Sequence, residues 1–246
     1  MKEIIGSIQT FMANALKDSG SNGFVLGMSG GIDSSVAAVL AKQVAPSSTL
    51  GLILPCESNL KDREDALLVA ENFDIETIVI DIKDFYKSIL RLMEHDNVPE
   101  NKLTANNLKP RLRMIVLYYW ANRRRYLVIG TGNKVELQLG YYTKYGDGGC
   151  DIMPLGDLYK SEVYAIAKEL DIPKSIIEKQ PSAGLWHGQT DEGEIGLNYA
   201  DMEHALKYLN KERADKPSDM ILDRIHDLIK RNGHKAHMPK IAYVNL

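Results

Sequence analysis

The sequence predicts an α/β fold, a doubly wound parallel sheet with helices on both faces, and three observations carry that prediction. Short β-rich runs at 24–28, 50–54, 76–80 and 126–129 alternate with longer stretches of helical spacing, the rhythm of strand–helix–strand units. The runs at 24–28 and 126–129 each lead into a glycine-bearing turn, SGGIDSS at 29–35 and GTGN at 130–133. The chain has 246 residues, 44% of them hydrophobic, enough for one large α/β core, so residues 1–246 are expected to form a single domain.

Taken in order, Ile4, Ile5, Ile8, Phe11, Met12 and Leu16 recur at helical spacing and predict a first helix packed on the body. Strand 24–28 feeds a helix at 34–44, and strand 50–54 is ended by Pro55. Residues 60–73 read as a charged helix, 76–80 (ETIVI) as a strand, and 82–93 as a helix with Phe85, Ile89, Leu92 and Met93 inward. A polar break at 95–106 precedes a long helix at 108–124, where Leu112, Ile115, Val116, Tyr119 and Trp120 share faces. Strand 126–129 (YLVI) then runs into the turn at 130–133 and a short helix carrying Glu136. Residues 141–151 (YYTKYGDGGCD) hold three glycines and are too irregular for a helix or central strand, which predicts a functional loop. Helical spacing returns at 158–170, and the polar stretch 178–196, with Trp186 inside it, has the length of a lid. Helices at 197–209 and 219–231 and a basic-then-apolar tail at 232–246 complete the chain.

Charge is nearly balanced, 30 Lys plus Arg against 33 Asp plus Glu, so the broad basic field of a nucleic-acid binder is missing and small substrates are favoured. The two cysteines, Cys56 and Cys150, are too few for a disulfide framework and read as inert buried thiols in a reducing cytoplasm. The N-terminus is unlike a signal peptide, and no stretch approaches the roughly 18 uninterrupted apolar residues of a membrane span. A cytoplasmic location without membrane contact is the expectation.

Chemistry concentrates in SGGIDSS. Gly30 and Gly31 permit backbone angles and close approaches that a Cβ would forbid, and the amides of a following helix point at an anion. Ser29, Ser34 and Ser35 add hydroxyl donors. The turn lacks the lysine of GxxxxGK[ST], and Gly27, Gly30 and Gly31 do not space as GxGxxG. Asp33 stands there instead, and a carboxylate beside phosphate is tolerable when a divalent cation lies between, which predicts Mg²⁺.

Together SGGIDSS, GTGNKVE at 130–136, YTKYGDGGCD at 142–151 and PLGDLYKSEV at 154–163 resemble the NAD synthetase family. The heptad alone is shared with other ATP pyrophosphatases of the N type, including tRNA-modifying ligases and thiolases; TKYGDGG is much narrower. The resemblance implies an adenine nucleotide alpha hydrolase-like sheet and an ATP-dependent amide-forming ligase. Its reaction adenylates the carboxylate of nicotinic acid adenine dinucleotide, releasing pyrophosphate, and ammonia then displaces AMP to give NAD. By position it implies ATP contacts from Gly27, Met28, Ser29, Gly30, Gly31, Ile32, Asp33, Ser34, Thr131, Lys160 and Ser182. Mg²⁺ would be held by Asp33 and Glu136, and Asp147 would join Lys160 as a catalytic group near the metal or the reacting centre. Arg111, Lys144, Asp151, His234 and Lys235 would receive the dinucleotide. Two departures stand out: Asn133 occupies a place where many ammonia-using members carry His, and the chain has no room for the amidase domain of glutamine-using members. Free ammonia is therefore the implied nitrogen donor. A homodimer is implied as well, with helix 108–120 and an exposed Tyr118 or Trp120 as a candidate shared face.

Overall fold

Four strands pair in parallel in the order β3-β2-β1-β4 in the computed structural model, which describes residues 1–93, 102–182, 184, 189–242 and 244. β1 (Gly23–Gly27) and β2 (Thr49–Ile53) are central and buried almost throughout, as expected of strands covered on both faces. β3 (Glu76–Val79) is an edge strand, and its outer residues Glu76 and Val79 are exposed. β4 (Tyr126–Ile129) closes the other side, pairing Val25 with Val128 while Val25 also faces Leu50 on β2. Strand order grows outward from β1 to β3 and then reverses to β4. The gap between the carboxyl ends of β1 and β4 is thus a topological switch point, where open α/β sheets bind ligands.

Alternation along β1 divides the core. Phe24 and Leu26 point to one face, where they meet α1 (Lys2–Ser19), α2 (Ile32–Val44), α3 (Leu60–Asn72) and α8 (Lys160–Glu169) through Met12, Val36, Leu40, Val69, Val163 and Ile166. Val25 points to the other face with Leu50, Leu52 and Val128, against Met114, Leu117 and Ala121 of α6 (Leu108–Arg124). Each fully buried Leu or Ile here contributes on the order of 1.5–3 kcal/mol of transfer free energy. A third cluster joins α7 (Lys134–Leu139) to α11 (Tyr199–Leu209) and α12 (Asp219–Asn232) through Leu139, Met202, Leu206 and Ile225. α4 (Lys83–Met93), α5 (Lys102–Asn106), α9 (Lys174–Ile177) and α10 (Asp191–Ile195) complete the helices.

Three expectations about facing are corrected. Ile82 just before α4 and Tyr86 on it are buried, whereas Leu92 and Met93 are 70% and 68% exposed and Phe85 is exposed too. The helix packs through Tyr86, Ile89 and Leu90 against Cys56, Ile80 and the α6 residues Leu108, Leu112 and Val116, with Tyr86 under the Lys109 ammonium, and Phe85, Leu92 and Met93 lie outside that contact. On α6, Leu112, Val116 and Trp120 face buried clusters, whereas Ile115 and Tyr119 are each 58% exposed; Tyr118 and Trp120, expected to be exposed, are half-buried. Phe11 is exposed because α1 leans on α2 through Ile5, Ile8 and Met12 rather than on the sheet. Both cysteines are free, Cys56 buried and Cys150 only half-buried. No described helix is long and apolar enough to cross a membrane.

Candidate active site

The turn after β1 is built to present amides. Met28 N donates to Leu52 O at 2.9 Å, extending the sheet by one bond before the chain turns. Ser29 Oγ lies 3.0 Å from Ser34 Oγ, and Ser34 Oγ donates to Gly31 O at 3.0 Å, which staples the turn across the start of α2. α2 begins at Gly31 without a side-chain cap, so its first-turn N–H groups are left for a ligand. Gly30 is required twice over: its φ is +77°, and a Cβ there would come 2.1 Å from Asp62 O in the first turn of α3. Gly31 is free of such pressure, since a Cβ would meet only Ser29 Oγ at 3.4 Å. Gly30→Ala is accordingly expected to unfold at a temperature lower by several degrees and to lose ATP binding, whereas Gly31→Ala should keep the melting temperature of the parent; equal melting curves for Gly30→Ala and the parent would contradict this.

Across the switch point, Asn133 opens α7 with a reciprocal cap. Its Oδ1 accepts from Glu136 N at 3.2 Å while Glu136 Oε2 accepts from Asn133 N at 3.0 Å. The remaining Asn133 amide donates to Asp33 Oδ1 at 3.2 Å, so one buried side chain joins the first turns of α2 and α7. Lys160, only 2% exposed at the start of α8, donates from Nζ to Asp33 Oδ2 at 2.5 Å and lies 5.1 Å from the Tyr199 ring centroid. Asp33, Glu136 and Lys160 therefore meet where β1 and β4 end.

Electrostatics follow from that crowding. Burial, and then the Asp33 charge, push the Glu136 carboxyl up from 4.5 to about 8, with Lys160 acting in the opposite direction. For Lys160, burial disfavours the ammonium, but Asp33 and Glu136 outweigh it and the pKa ends above the ordinary lysine value. Tyr199 is neutral in this setting, raised by burial and by Glu136 and Asp191, and its hydroxyl donates to Asp191 Oδ2 at 2.9 Å. Among the described residues no three or more His, Cys, Asp or Glu side chains gather as a complete metal cage. Two carboxylates suit Mg²⁺ nonetheless, because that ion keeps waters and takes its other oxygens from phosphate.

A second cluster assembles around the glycine loop. Arg111 Nε donates to Lys144 O at 3.2 Å, Lys144 Nζ to His234 O at 2.8 Å, and Lys235 Nζ to Gly140 O and Tyr142 O at 2.7 and 2.8 Å. Asp147 belongs here: its Oδ1 accepts from Thr143 N at 2.9 Å, and its charged neighbours are Lys235 and Arg113 rather than Asp33 or Glu136. Asp151 is engaged elsewhere, accepting from Val128 N at 2.7 Å and Tyr118 Oη at 2.9 Å. Thr131 stands two residues beyond the end of β4. Ser182 is exposed and accepts from Gly184 N at 3.1 Å; Trp186 lies outside the described residues.

Several residues of the site were not named from sequence. Glu203, buried on α11, accepts from both N and Oγ of Ser161 at 2.7 Å and so fixes the helix start that carries Lys160. Arg113 donates to Leu54 O at 3.1 Å and Ser58 Oγ at 3.3 Å at the end of β2, between the two clusters. Lys179 follows the end of α9 and Asp191 opens the short helix α10, and no periodicity or spacing marks either. Asn133 is the exception, since Asn-x-x-Glu before an apolar run is a local signature of a helix start.

An uncapped helix start with an acid in its first turn faces a second strand end across a 3-2-1-4 switch point, and the architecture is that of the adenine nucleotide alpha hydrolase-like fold. The chain belongs to the NAD synthase family, whose model matches residues 4–239. It is 42% identical over 226 residues to an NH(3)-dependent NAD(+) synthetase of Carboxydothermus hydrogenoformans, covering 92% of this chain and 90% of that one. It is 44% identical over 248 residues to the protein of the same name from Methanocaldococcus jannaschii, covering 97% and 96%. Among solved structures, NMN synthetase from Francisella tularensis superposes with a TM-score of 0.92 at 37% identity, covering 99% of this chain and 98% of that one. NH3-dependent NAD synthetase from Campylobacter jejuni gives 0.84 at 31%, covering 98% and 99%.

Proposed function

We propose that this chain is an ammonia-dependent NAD synthetase, which adenylates the carboxylate of nicotinic acid adenine dinucleotide with ATP and amidates it with ammonia. The observation that carries the reading is the meeting of Asp33, Glu136 and Lys160 beside the amide-presenting turn, together with a separate cationic cluster at the glycine loop. A free carboxylate is a poor electrophile, and converting it to an adenylate creates AMP as a leaving group. The protein must hold two anions in line for that step and neutralise both.

The residues divide accordingly. The turn from Gly27 to Ser34 receives the triphosphate on its backbone N–H groups and hydroxyls, with Thr131 and Ser182 as further ATP contacts. Asp33 and Glu136 would hold Mg²⁺, whose charge offsets that of the phosphate oxygens. Lys160, held buried by Glu203 and α8, supplies a fixed positive charge to the same phosphates. Arg111, Lys144, His234 and Lys235 receive the acceptor dinucleotide, and Asp147 and Asp151 shape its loop. Ile115 and Tyr119, exposed one turn apart on α6, mark the surface we assign to a homodimer. A cytoplasmic site of action accords with the free cysteines.

A second reading is favoured by the Francisella tularensis structure, an NMN synthetase: the acceptor would be the mononucleotide. Purified protein with ATP, Mg²⁺ and ammonium, given either acceptor, separates the two. The dinucleotide is expected to support formation of equal AMP and NAD at a higher kcat/KM than the mononucleotide. Preference for the mononucleotide selects the second reading, and acceptor-independent AMP release rejects both.

A further inference from the structure

Gly30 sits in the left-handed region, and its carbonyl accepts from Lys179 Nζ at 3.2 Å. The same ammonium binds Asp62 Oδ1 at 2.6 Å and Asp65 Oδ2 at 3.0 Å on α3, and Asp65 is buried and also held by Lys61 at 2.8 Å. Lys179 thus ties the phosphate turn to the first turns of α3. In a trans peptide the carbonyl and the following N–H point in opposite directions. With Gly30 O drawn toward Lys179, the Gly31 N–H is turned the other way, toward Ser29 Oγ at 3.3 Å. A reversed peptide would aim a carbonyl dipole at a bound phosphate. Glycine at φ +77° opposes such reversal only weakly, since it populates both signs of φ with similar ease.

We propose that Lys179 is a positioning residue for ATP: its ammonium fixes the Gly30–Gly31 peptide with the carbonyl turned away from the triphosphate and the N–H donated to Ser29 Oγ, and α3 fixes the ammonium through Asp62 and Asp65. This rests on the reading of residues 27–34 as the phosphate turn. The effect is confined to the nucleotide half of the site. Lys179 has no contact with Arg111, Lys144, His234 or Lys235 among the described residues, so the acceptor half is untouched.

The test is direct binding of Mg·ATP by calorimetry, beside steady-state constants for both substrates. Lys179→Met is expected to weaken ATP binding roughly tenfold, the scale of one charge-assisted hydrogen bond, and to raise the KM for ATP alone. Lys179→Arg should stay within about threefold of the parent, because it keeps the charge and the donors. Lys61→Met removes the other cation on Asp65 without touching Gly30, and should leave ATP binding unchanged. Parental affinity in Lys179→Met, or an equal loss in Lys61→Met, overturns the proposal. If the Met variant does not fold, a tenfold loss in a folded Arg variant overturns it as well. A parent protein that fails to bind Mg·ATP removes the phosphate-turn reading, and this inference with it.

Discussion

Lys160→Met is expected to cost more stability than any other single change at the site, and to abolish turnover. The ammonium is buried and bonds Asp33 at 2.5 Å. Removing one partner of a buried ion pair typically costs about 3–5 kcal/mol, because the other is left as an uncompensated charge. Asp33 keeps some contact with solvent, its side chain being 17% exposed, which places the expected cost at the lower end of that range. For a chain of this size each kcal/mol lowers the melting temperature by roughly 2–4 °C. A divalent cation placed against the Asp33 and Glu136 carboxylates should return part of that loss, so Mg²⁺ is expected to raise the melting temperature of the Met variant by more than that of the parent. Thermal unfolding with and without Mg²⁺ reads both effects. An unchanged melting temperature in Lys160→Met would show that Asp33 does not depend on this ammonium.

That cluster also explains how far the sequence could be read. The two glycine-bearing turns were legible because their chemistry is local: Gly30 needs its φ, Asp33 starts a helix, and Asn133 and Glu136 cap each other three residues apart. The convergence of the turns followed from strand order alone, since parallel strands bring all their carboxyl ends to one edge. What could not be read is long-range. The Asn133 amide reaches Asp33 across 100 positions, and the Lys160 ammonium is buried although a lysine at a helix start is ordinarily solvated. Glu203 secures Ser161 from 42 positions away with no motif to announce it.

Helix facing failed for a different reason. Periodicity identifies an apolar stripe but not the width of the surface that will cover it, and α4 is covered only along Tyr86, Ile89 and Leu90, by Cys56, Ile80 and one flank of α6. Leu92 and Met93 are therefore exposed at positions where helical spacing alone would have buried them. On α6 the sheet claims Met114, Leu117 and Ala121, so Ile115 and Tyr119, one turn apart, are turned outward together.

Glu136→Gln is expected to separate stability from function in opposite directions. The folded protein holds the Glu136 proton up to about pH 8, first because of burial and then because of Asp33, whereas the unfolded chain releases it near 4.5. Between those values the folded state binds more protons than the unfolded one, so stability from this group declines as pH rises. Below the lower value both states are protonated and the group contributes nothing; above the upper value both are ionised and the full cost of the buried charge is present. Glutamine keeps an oxygen for the Asn133 N–H and carries no charge to bury. In metal-free buffer the Gln variant should melt with the parent near pH 4.5 and several degrees above it at pH 8.5, while its Mg²⁺-dependent turnover falls roughly 10²–10³-fold, the scale of losing one preorganised charge-stabilising group. A Gln variant that melts below the parent at pH 8.5 would mean that the carboxylate is neutralised by something other than a proton, and the ammonium of Lys160 would then be the group to which Glu136 is bound in the resting protein.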